Sequence, residues 1–195
     1  MWVAGLSAAL ELLASRVYGR LIGRSFAAGS GPLRLHPSSR VSNPQCIRSG
    51  RIAVGRNAWL NAIVQDSSGT RFAPEMRIGS GTHIYDGVHI NCAASVDIGE
   101  KVLIAPNAFI TDCTHCFADR EVAIIDQPVR VSGPVKIGRG AWIGRGAAVI
   151  GPVTLGVNCV VGVNAVVTHD VPDYGVVSGV PARLHAGSTT GEGIR

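Results

Sequence analysis

The stretch VKIGRGAWIGRGAAVIGPVTLGVNCVVGVNAVV, residues 135–167, repeats with a period of six. A large aliphatic residue returns at every sixth position, a smaller residue stands two places before it, and glycine usually follows it. A helix repeats at about 3.6 residues and a strand at about 2, so this period predicts a solenoid of short strands and turns. The aliphatic positions are Ile137, Ile143, Val149, Leu155, Val161 and Val167.

Each six-residue unit is too small to bury its own apolar side, so successive layers must stack around one continuous core. We expect the sixth-position residue to point inward. Glycine beside it, as at Gly138 and Gly144, would suit a corner where the backbone turns at positive φ and has no room for a Cβ.

The same period runs through the earlier chain with three irregularities. Residues 65–74 keep the register but lose the aliphatic residues, and we interpret them as an exposed or distorted face. A slip of two residues separates Ile90 from Ile98. Residues 111–134 break the pattern altogether and predict a loop extruded from the solenoid, where function often lies.

Composition agrees with a narrow core. The chain has 195 residues, 25 of them glycine, and only 5% are aromatic. The net charge is +5, but the Lys and Arg residues are scattered, which favours a phosphate-bearing small ligand over nucleic acid. The five cysteines are odd in number and unpatterned, which indicates a reducing compartment and not a disulfide framework.

Residues 1–24 predict an amphipathic helix. Val3, Leu6, Leu10, Leu13, Val17 and Leu21 recur at steps of three and four residues. Arg16, Arg20 and Arg24 follow one another at four-residue spacing on another face. The helix is too short and too charged to span a bilayer. It either covers the first coil or a neighbouring subunit, or it lies on a membrane surface.

Three motifs carry a family resemblance. They are Ile-Gly-x-x-Ala-Trp-Ile-Gly at 137–144, Gly-Val-Asn-Ala-Val-Val-Thr-His-Asp-Val-Pro at 162–172 and Gly-Val-Pro-Ala-Arg at 179–183. Together they resemble the hexapeptide-repeat acyltransferases. Asp112-x-x-His115-x-Phe117-x-Asp119 and Ile125-Asp126-Gln127-Pro128 look most like the branch that O-acetylates polysaccharides such as O-antigen and colanic acid.

The resemblance implies an all-β fold, a left-handed parallel β-helix. Counting the in-register positions gives about six coils, and the residue patterns add the N-terminal amphipathic α-helix and one extruded loop. We expect residues 1–34 to form the helix and a linker, 35–184 the β-helix acyltransferase domain and 185–195 a disordered tail. The family also implies a homotrimer, with the acyl-donor site in the groove between adjacent prisms.

The implied activity is transfer of an acetyl group from acetyl-CoA to a hydroxyl of a sugar or polysaccharide precursor, without a metal. An alcohol needs a base to take its proton, and histidine titrates in the useful range. The resemblance assigns this role to His115. Asp112 or Asp119 would orient the imidazole, although either could instead cap the loop through an Asx turn.

The resemblance assigns further residues to binding. Asn91 and Trp142 would contact the substrate, and the backbone N–H at Gly144-Arg145 would donate to the developing oxyanion. His169 stands where a lysine is common in relatives. The residues expected to meet coenzyme A are Gly144, Arg145, Gly162, Val163, Thr168, His169 and Arg183.

Other readings stay open. The same base would serve N-acetylation of an amino sugar or amino acid, and the prism could be a catalytically silent scaffold. Cys113 and Cys116 lack the setting of a redox pair or a zinc site. His83 and His89 are six apart, on adjacent faces, so they should not meet one metal ion. We expect a cytoplasmic protein, at the inner face of the membrane if the helix binds lipid.

Overall fold

The computed structural model describes residues 2–186 and the side chains of residues 10–186. One α-helix, α1, is followed in residues 2–186 by twenty-one short strands and two 3₁₀ turns, Pro44–Cys46 and Ile124–Asp126. In chain order they are α1 (Trp2–Gly23), β1 (Leu33–Leu35), β2 (Arg40–Ser42), β3 (Ile47–Ser49), β4 (Ile52–Val54), β5 (Trp59–Ala62), β6 (Glu75–Ile78), β7 (His83–Ile84), β8 (His89–Cys92), β9 (Ser95–Ile98), β10 (Leu103–Ile104), β11 (Phe109–Thr111), β12 (Cys113–His115), β13 (Val129–Val131), β14 (Val135–Ile137), β15 (Trp142–Ile143), β16 (Ala148–Ile150), β17 (Val153–Leu155), β18 (Val160–Val161), β19 (Val166–Val167), β20 (Val176–Ser178) and β21 (Arg183–Leu184). The predicted disordered tail lies outside the described residues from position 187 onward.

The strands form a left-handed parallel β-helix with three faces, as expected. The eight-stranded face has the order β1-β4-β7-β10-β15-β18-β20-β21, the six-stranded face β19-β16-β11-β8-β5-β2, and the five-stranded face β17-β14-β9-β6-β3. Pairing is parallel except between β12 and β13 and between β20 and β21. The strands of the six-stranded face mark about six coils, as the repeat predicts.

The core confirms the period but is filled from two positions of each unit. The large aliphatic residues are buried, and so are the smaller residues two places before them. In a strand, residues two apart point to the same side, so both positions of each unit face inward. The buried smaller residues are Val135, Ala141, Ala147, Val153, Cys159 and Ala165.

The expectation that these corners have no room for a Cβ was confirmed, but the expectation of a positive φ was wrong. Gly138 and Gly144 do not adopt positive φ. Instead, a Cβ on Gly138 would lie 2.6 Å from the carbonyl carbon of Gly156, and one on Gly144 would lie 2.6 Å from the carbonyl oxygen of Val161. These glycines are required because stacked coils approach too closely for a side chain. Positive φ occurs two residues after each of these glycines, for example at Gly140 with φ 72.

The N-terminal helix packs against the first coil, but not through its apolar stripe. Tyr18 and Ile22 contact the core, and Gly19 is buried with its Cα against β1. An ion pair joins Glu11 to Arg56 in the second coil. The helix therefore covers the start of the prism through one side, and the leucines of its other side face outward.

Two segments, not one, are extruded from the prism. Residues 63–74 leave between β5 and β6, where we expected a distorted face, and residues 112–134 leave between β11 and β14. The strands on both sides of residues 63–74 keep their parallel pairing with β8 and β9, and those strands need only residues 93–94 to make the same turn. Residues 63–74 are thus an insertion at a corner and replace no strand.

Candidate active site

Both extruded segments leave the prism at the corner between the six-stranded and five-stranded faces, with one coil between them. We call them the short loop (residues 63–74) and the long loop (residues 112–134). In the long loop, β12 runs antiparallel to β13 and brings His115 opposite Val129. The prism thus supports a two-stranded arm that carries the candidate base.

The two loops are bonded to each other. Asp66 of the short loop accepts a hydrogen bond from the Val129 N–H of the long loop at 2.7 Å. The Ser67 hydroxyl donates to the Ile125 carbonyl at 2.9 Å. Because Val129 is the register partner of His115, the short loop helps to fix the strand pair that positions the imidazole.

His115 lines a groove of about 450 Å³ on the six-stranded face. Its imidazole is exposed, which leaves it open to a ligand. The floor of the groove carries polar and aromatic side chains of β5 and β8. These are Trp59, Asn61, His89 and Asn91.

The groove floor is held by pairs in strand register. Asn61 donates its Nδ2 hydrogen to Asn91 Oδ1 at 2.9 Å, and the rings of Trp59 and His89 stack with centroids 4.6 Å apart. Burial lowers the pKa of His89, and a hydrogen bond with Asn91 partly offsets this. The Nε2 atom of His89 is buried and has no hydrogen-bond partner in the described part of the chain.

Of these groove-lining residues, the sequence predicts Asn91 and His115 as site residues. Trp59, Asn61 and His89 were not predicted as part of the site. A signal was present, because Trp59 and His89 each directly precede an inward aliphatic residue, Leu60 and Ile90, and so share one row of the face.

Neither aspartate contacts His115 by a hydrogen bond in residues 2–186. Asp112 is fully buried, and its carboxylate accepts the N–H groups of Ala93, Ala94 and Ser95 at 2.7–2.8 Å. These three residues lie at the corner between β8 and β9, which is where the repeat slips by two residues between Ile90 and Ile98. The geometry of Asp112 is that of a cap on the preceding coil.

Asp119 lies within the long loop itself. Its Oδ1 accepts the Glu121 N–H at 2.9 Å, which is an Asx-type turn. The buried Gln127 side chain donates to the carbonyls of Asp119 and Val122, both at 2.8 Å. Asp119 therefore belongs to the internal bonding of the loop tip.

Trp142 lies on the eight-stranded face, about half exposed, and one chain does not bring it to His115. Gly144 and Arg145 follow it at the corner toward the six-stranded face, and Gly162 and Val163 stack above them one coil later. These residues form one ridge along the prism, which we call the Trp142 ridge.

The backbone donors of the Trp142 ridge are not equivalent. The Gly144 N–H donates to the Val161 carbonyl at 2.8 Å, and the Gly162 N–H donates to the Val177 carbonyl at 2.7 Å. Gly144 therefore cannot offer its N–H to an oxyanion. The Arg145 N–H makes no backbone hydrogen bond within residues 2–186 and remains a free donor.

The last predicted binding residues lie apart from the Trp142 ridge. Thr168 and His169 follow β19 at the same type of corner as His115, two coils later, and their side chains are 2.9 Å apart between Oγ1 and Nδ1. Arg183 is exposed on β21 at the end of the eight-stranded face. One chain thus presents the predicted residues at separate places, which are the His115 groove, the Trp142 ridge and the last coil.

The cysteines of the long loop do not form a redox pair or a metal site. Cys113 and Cys116 are both free thiols. Burial raises the pKa of the Cys113 thiol to about 11, which keeps it protonated near neutral pH. No group of three or more His, Cys, Asp or Glu side chains able to hold a metal ion occurs in residues 2–186.

The contact between the loops leads to a testable expectation. Asp66→Ala should remove hydrogen-exchange protection of the Val129 amide, whereas Asp170→Ala, which removes a comparable carboxylate cap elsewhere on the prism, should not. Hydrogen bonds from the Ser68 hydroxyl, and from the N–H groups of Val129 and Thr70, lower the pKa of Asp66.

Because this pKa is lower in the folded chain than in the unfolded one, the contact should be complete above the ordinary aspartate value, about 3.9. It should be lost as pH falls through the lowered value. Protection of Val129 that is equal in wild type and Asp66→Ala, after correction for intrinsic exchange, would contradict this.

Several curated proteins are similar in sequence. A probable acetyltransferase of Mycobacterium tuberculosis is 30% identical over 166 residues, which is 74% of this chain and 53% of that protein. The galactoside O-acetyltransferase of Escherichia coli is 31% identical over 154 residues, 76% of this chain and 70% of the enzyme. The chain thus spans from about half to seven-tenths of the lengths of these relatives. No family model matches it.

Solved structures share the fold. The N-acyltransferase AntD of Bacillus cereus, in complex with dTDP and 3-hydroxybutyryl-CoA, superposes with a TM-score of 0.69 at 17% identity and covers 85% of each chain. The hexapeptide-repeat acetyltransferase VCA0836 of Vibrio cholerae gives a TM-score of 0.57 at 21% identity, over 93% of this chain and 88% of that one. With the sequence identity to the galactoside enzyme over most of both chains, these findings show that the chain belongs to the hexapeptide-repeat acyltransferases.

Proposed function

We propose that the protein transfers an acetyl group from acetyl-CoA to a hydroxyl of a sugar or polysaccharide precursor. The observation that carries the proposal is the position of His115, an exposed imidazole on an arm that overhangs a groove floored by Asn61 and Asn91. Amide and aromatic side chains side by side suit a polyhydroxylated acceptor, because they offer both hydrogen bonds and a ring face.

The reaction needs one base and no covalent intermediate. His115 takes the proton as the acceptor oxygen attacks the thioester carbonyl carbon, and the C–S bond then breaks to release coenzyme A. The thiolate takes up the proton that the imidazolium holds. The acetyl ester and the free thiol are the only products, so the imidazole returns to its starting state.

We propose that a second and a third copy complete the site as a homotrimer. The Trp142 ridge of one chain would face the His115 corner of its neighbour, because the two sets of residues lie on different faces of one prism. The free Arg145 N–H would then meet the developing oxyanion. Thr168, His169 and Arg183 would contact the pantetheine arm and phosphates of the donor.

The bond formed identifies the acceptor class. Thiol release from acetyl-CoA is measured with neutral sugars and with matching amino sugars, and the product is then treated with hydroxylamine, which cleaves acetyl esters and leaves acetamides intact. We expect a hydroxylamine-sensitive product. An acetamide product would favour N-acetylation, and thiol release that no acceptor increases would favour a silent scaffold.

Asn91→Ala adds a second measure of the same proposal. Loss of an acceptor contact should raise the KM for the acceptor by about tenfold and leave the KM for acetyl-CoA nearly unchanged. Thr154→Ala, which removes an exposed polar side chain from β17 on the five-stranded face, outside the groove, is the control.

A further inference from the structure

Helix α1 has an exposed apolar side that the prism does not use. The side that contacts the first coil is formed by Tyr18, Gly19 and Ile22. With about 100° per residue, a stripe of large aliphatic residues lies on the opposite side of the helix. Its described members are Leu10, Leu13, Val17 and Leu21, which are 59%, 58%, 49% and 63% exposed.

A row of arginines runs beside this aliphatic stripe. Arg16, Arg20 and Arg24 follow one another at four-residue spacing, between the aliphatic stripe and the side that contacts the prism. All three are exposed, and none of them forms an ion pair within the described residues. The helix therefore presents an apolar strip with a positive border.

The positive border continues into a cleft. The arginine row forms one wall of a cleft of about 790 Å³ between α1 and the first strands of the eight-stranded face. Arg34 and Arg51 line the other wall, and the side chains of residues 10–186 that line the cleft include no carboxylate. Five guanidinium groups without a counter-charge favour a polyanionic partner.

We propose that α1 docks the protein on an anionic lipid bilayer. The aliphatic stripe would enter the boundary between headgroups and acyl chains, and the arginine row would bind lipid phosphates at the rim. This partner fits because it is an extended apolar surface bordered by negative charge, which matches the helix in both respects. No helix in residues 2–186 is long and apolar enough to cross the bilayer, so the contact would be peripheral.

Vesicle flotation of the full chain tests the proposal. Wild type should float with phosphatidylcholine vesicles that contain phosphatidylglycerol and not with phosphatidylcholine alone, and high salt should weaken the binding. Leu13→Ser combined with Val17→Ser should lower the partition coefficient at least tenfold. These two side chains are exposed, so the fold should be unaffected.

Arg16→Gln, Arg20→Gln and Arg24→Gln together should lower the partition coefficient roughly a hundredfold, since each arginine near an anionic surface contributes roughly fivefold. The matched control removes the same charge from the five-stranded face and its edge, through Arg48→Gln, Lys136→Gln and Arg139→Gln. This control should lose little binding. An equal loss in the control would mean that net charge alone drives association, and would overturn the proposal.

Three other outcomes would also overturn it. The first is failure of wild type to float with anionic vesicles. The second is a serine variant that changes the sedimentation coefficient of the assembly and not its flotation, which would make the aliphatic stripe a contact between copies. The third is equal binding of inorganic pyrophosphate to wild type and the serine variant while flotation is absent, which would assign the arginine cleft to a soluble phosphate ligand.

The docking proposal is separate from the proposed function. Acetyl transfer to a soluble acceptor should be unchanged in the serine variant, because none of the described side chains of α1, from position 10 onward, lines the His115 groove. A protein that floats but transfers no acetyl group would retain the docking proposal and reject the enzymatic one.

Discussion

His115→Ala is expected to lower kcat for acetyl transfer by about 10²- to 10⁴-fold, the usual contribution of a positioned general base. The KM for acetyl-CoA should change little, because the imidazole acts on the acceptor proton and not on the donor. Thiol release in the presence of the acceptor found by screening measures both values.

The fold should tolerate this change. The His115 side chain is exposed and makes no hydrogen bond in the described part of the chain, so the melting temperature of His115→Ala should match that of wild type. His83→Ala, an exposed histidine of the eight-stranded face, is the matched control and should keep full activity. A His115→Ala protein with wild-type kcat would reject the assigned base.

The same variant tests whether the site is shared between chains. His115→Ala and Trp142→Ala should each be weakly active alone. Co-assembled, they should regain activity, because some grooves would pair the intact His115 of one chain with the intact Trp142 of another. No recovery in proven mixed assemblies would place the whole site within one chain.

Asp112→Ala is expected to destabilise the protein by about 3–5 kcal/mol, because three backbone N–H groups at the corner of residues 93–95 lose a charged acceptor. For a chain of this size that loss corresponds to a fall of roughly 10 °C or more in melting temperature. Denaturant unfolding and thermal scans measure the two quantities.

Asp112→Asn gives a graded comparison. The amide keeps one acceptor oxygen but turns a donor toward the corner, so we expect an intermediate loss of stability. Asp97→Ala removes an exposed carboxylate from the five-stranded face and should change stability by less than about 0.5 kcal/mol. If Asp112→Ala were as stable as Asp97→Ala but inactive, the role of Asp112 would be orientation of His115 and not support of the corner.

The prism was predictable because the period of six reflects stacking, which acts identically in every coil. Ile137, Ile143 and Leu155 are buried as expected. The glycines beside them show the limit of that reasoning. Sequence spacing located the corner and predicted both a positive φ and a lack of room for a Cβ. Only the lack of room holds, and the sequence could not separate the two conditions because either one selects glycine.

The site was less predictable, because its parts come from irregular segments. The loss of aliphatic residues at 65–74 predicted a distorted face, but the preserved register hid the insertion, and the bond to Val129 left no periodic signal. Asp112 lies three positions before His115, which suggested a catalytic partner. Only the folded chain reveals that its carboxylate points back to the previous coil.

The position of Asp112 restricts how the long loop can be exchanged in protein engineering. The loop tip, residues 116–128, contacts the rest of the molecule through few bonds, so a tip from another acceptor specificity could be grafted there. Asp112, the first residue of the loop, supports the preceding coil, because its carboxylate accepts the N–H groups of residues 93–95. A successful graft should therefore begin after position 112. A graft that begins at the end of β11 would replace Asp112 and destabilise the β-helix, so the new specificity could not be assayed.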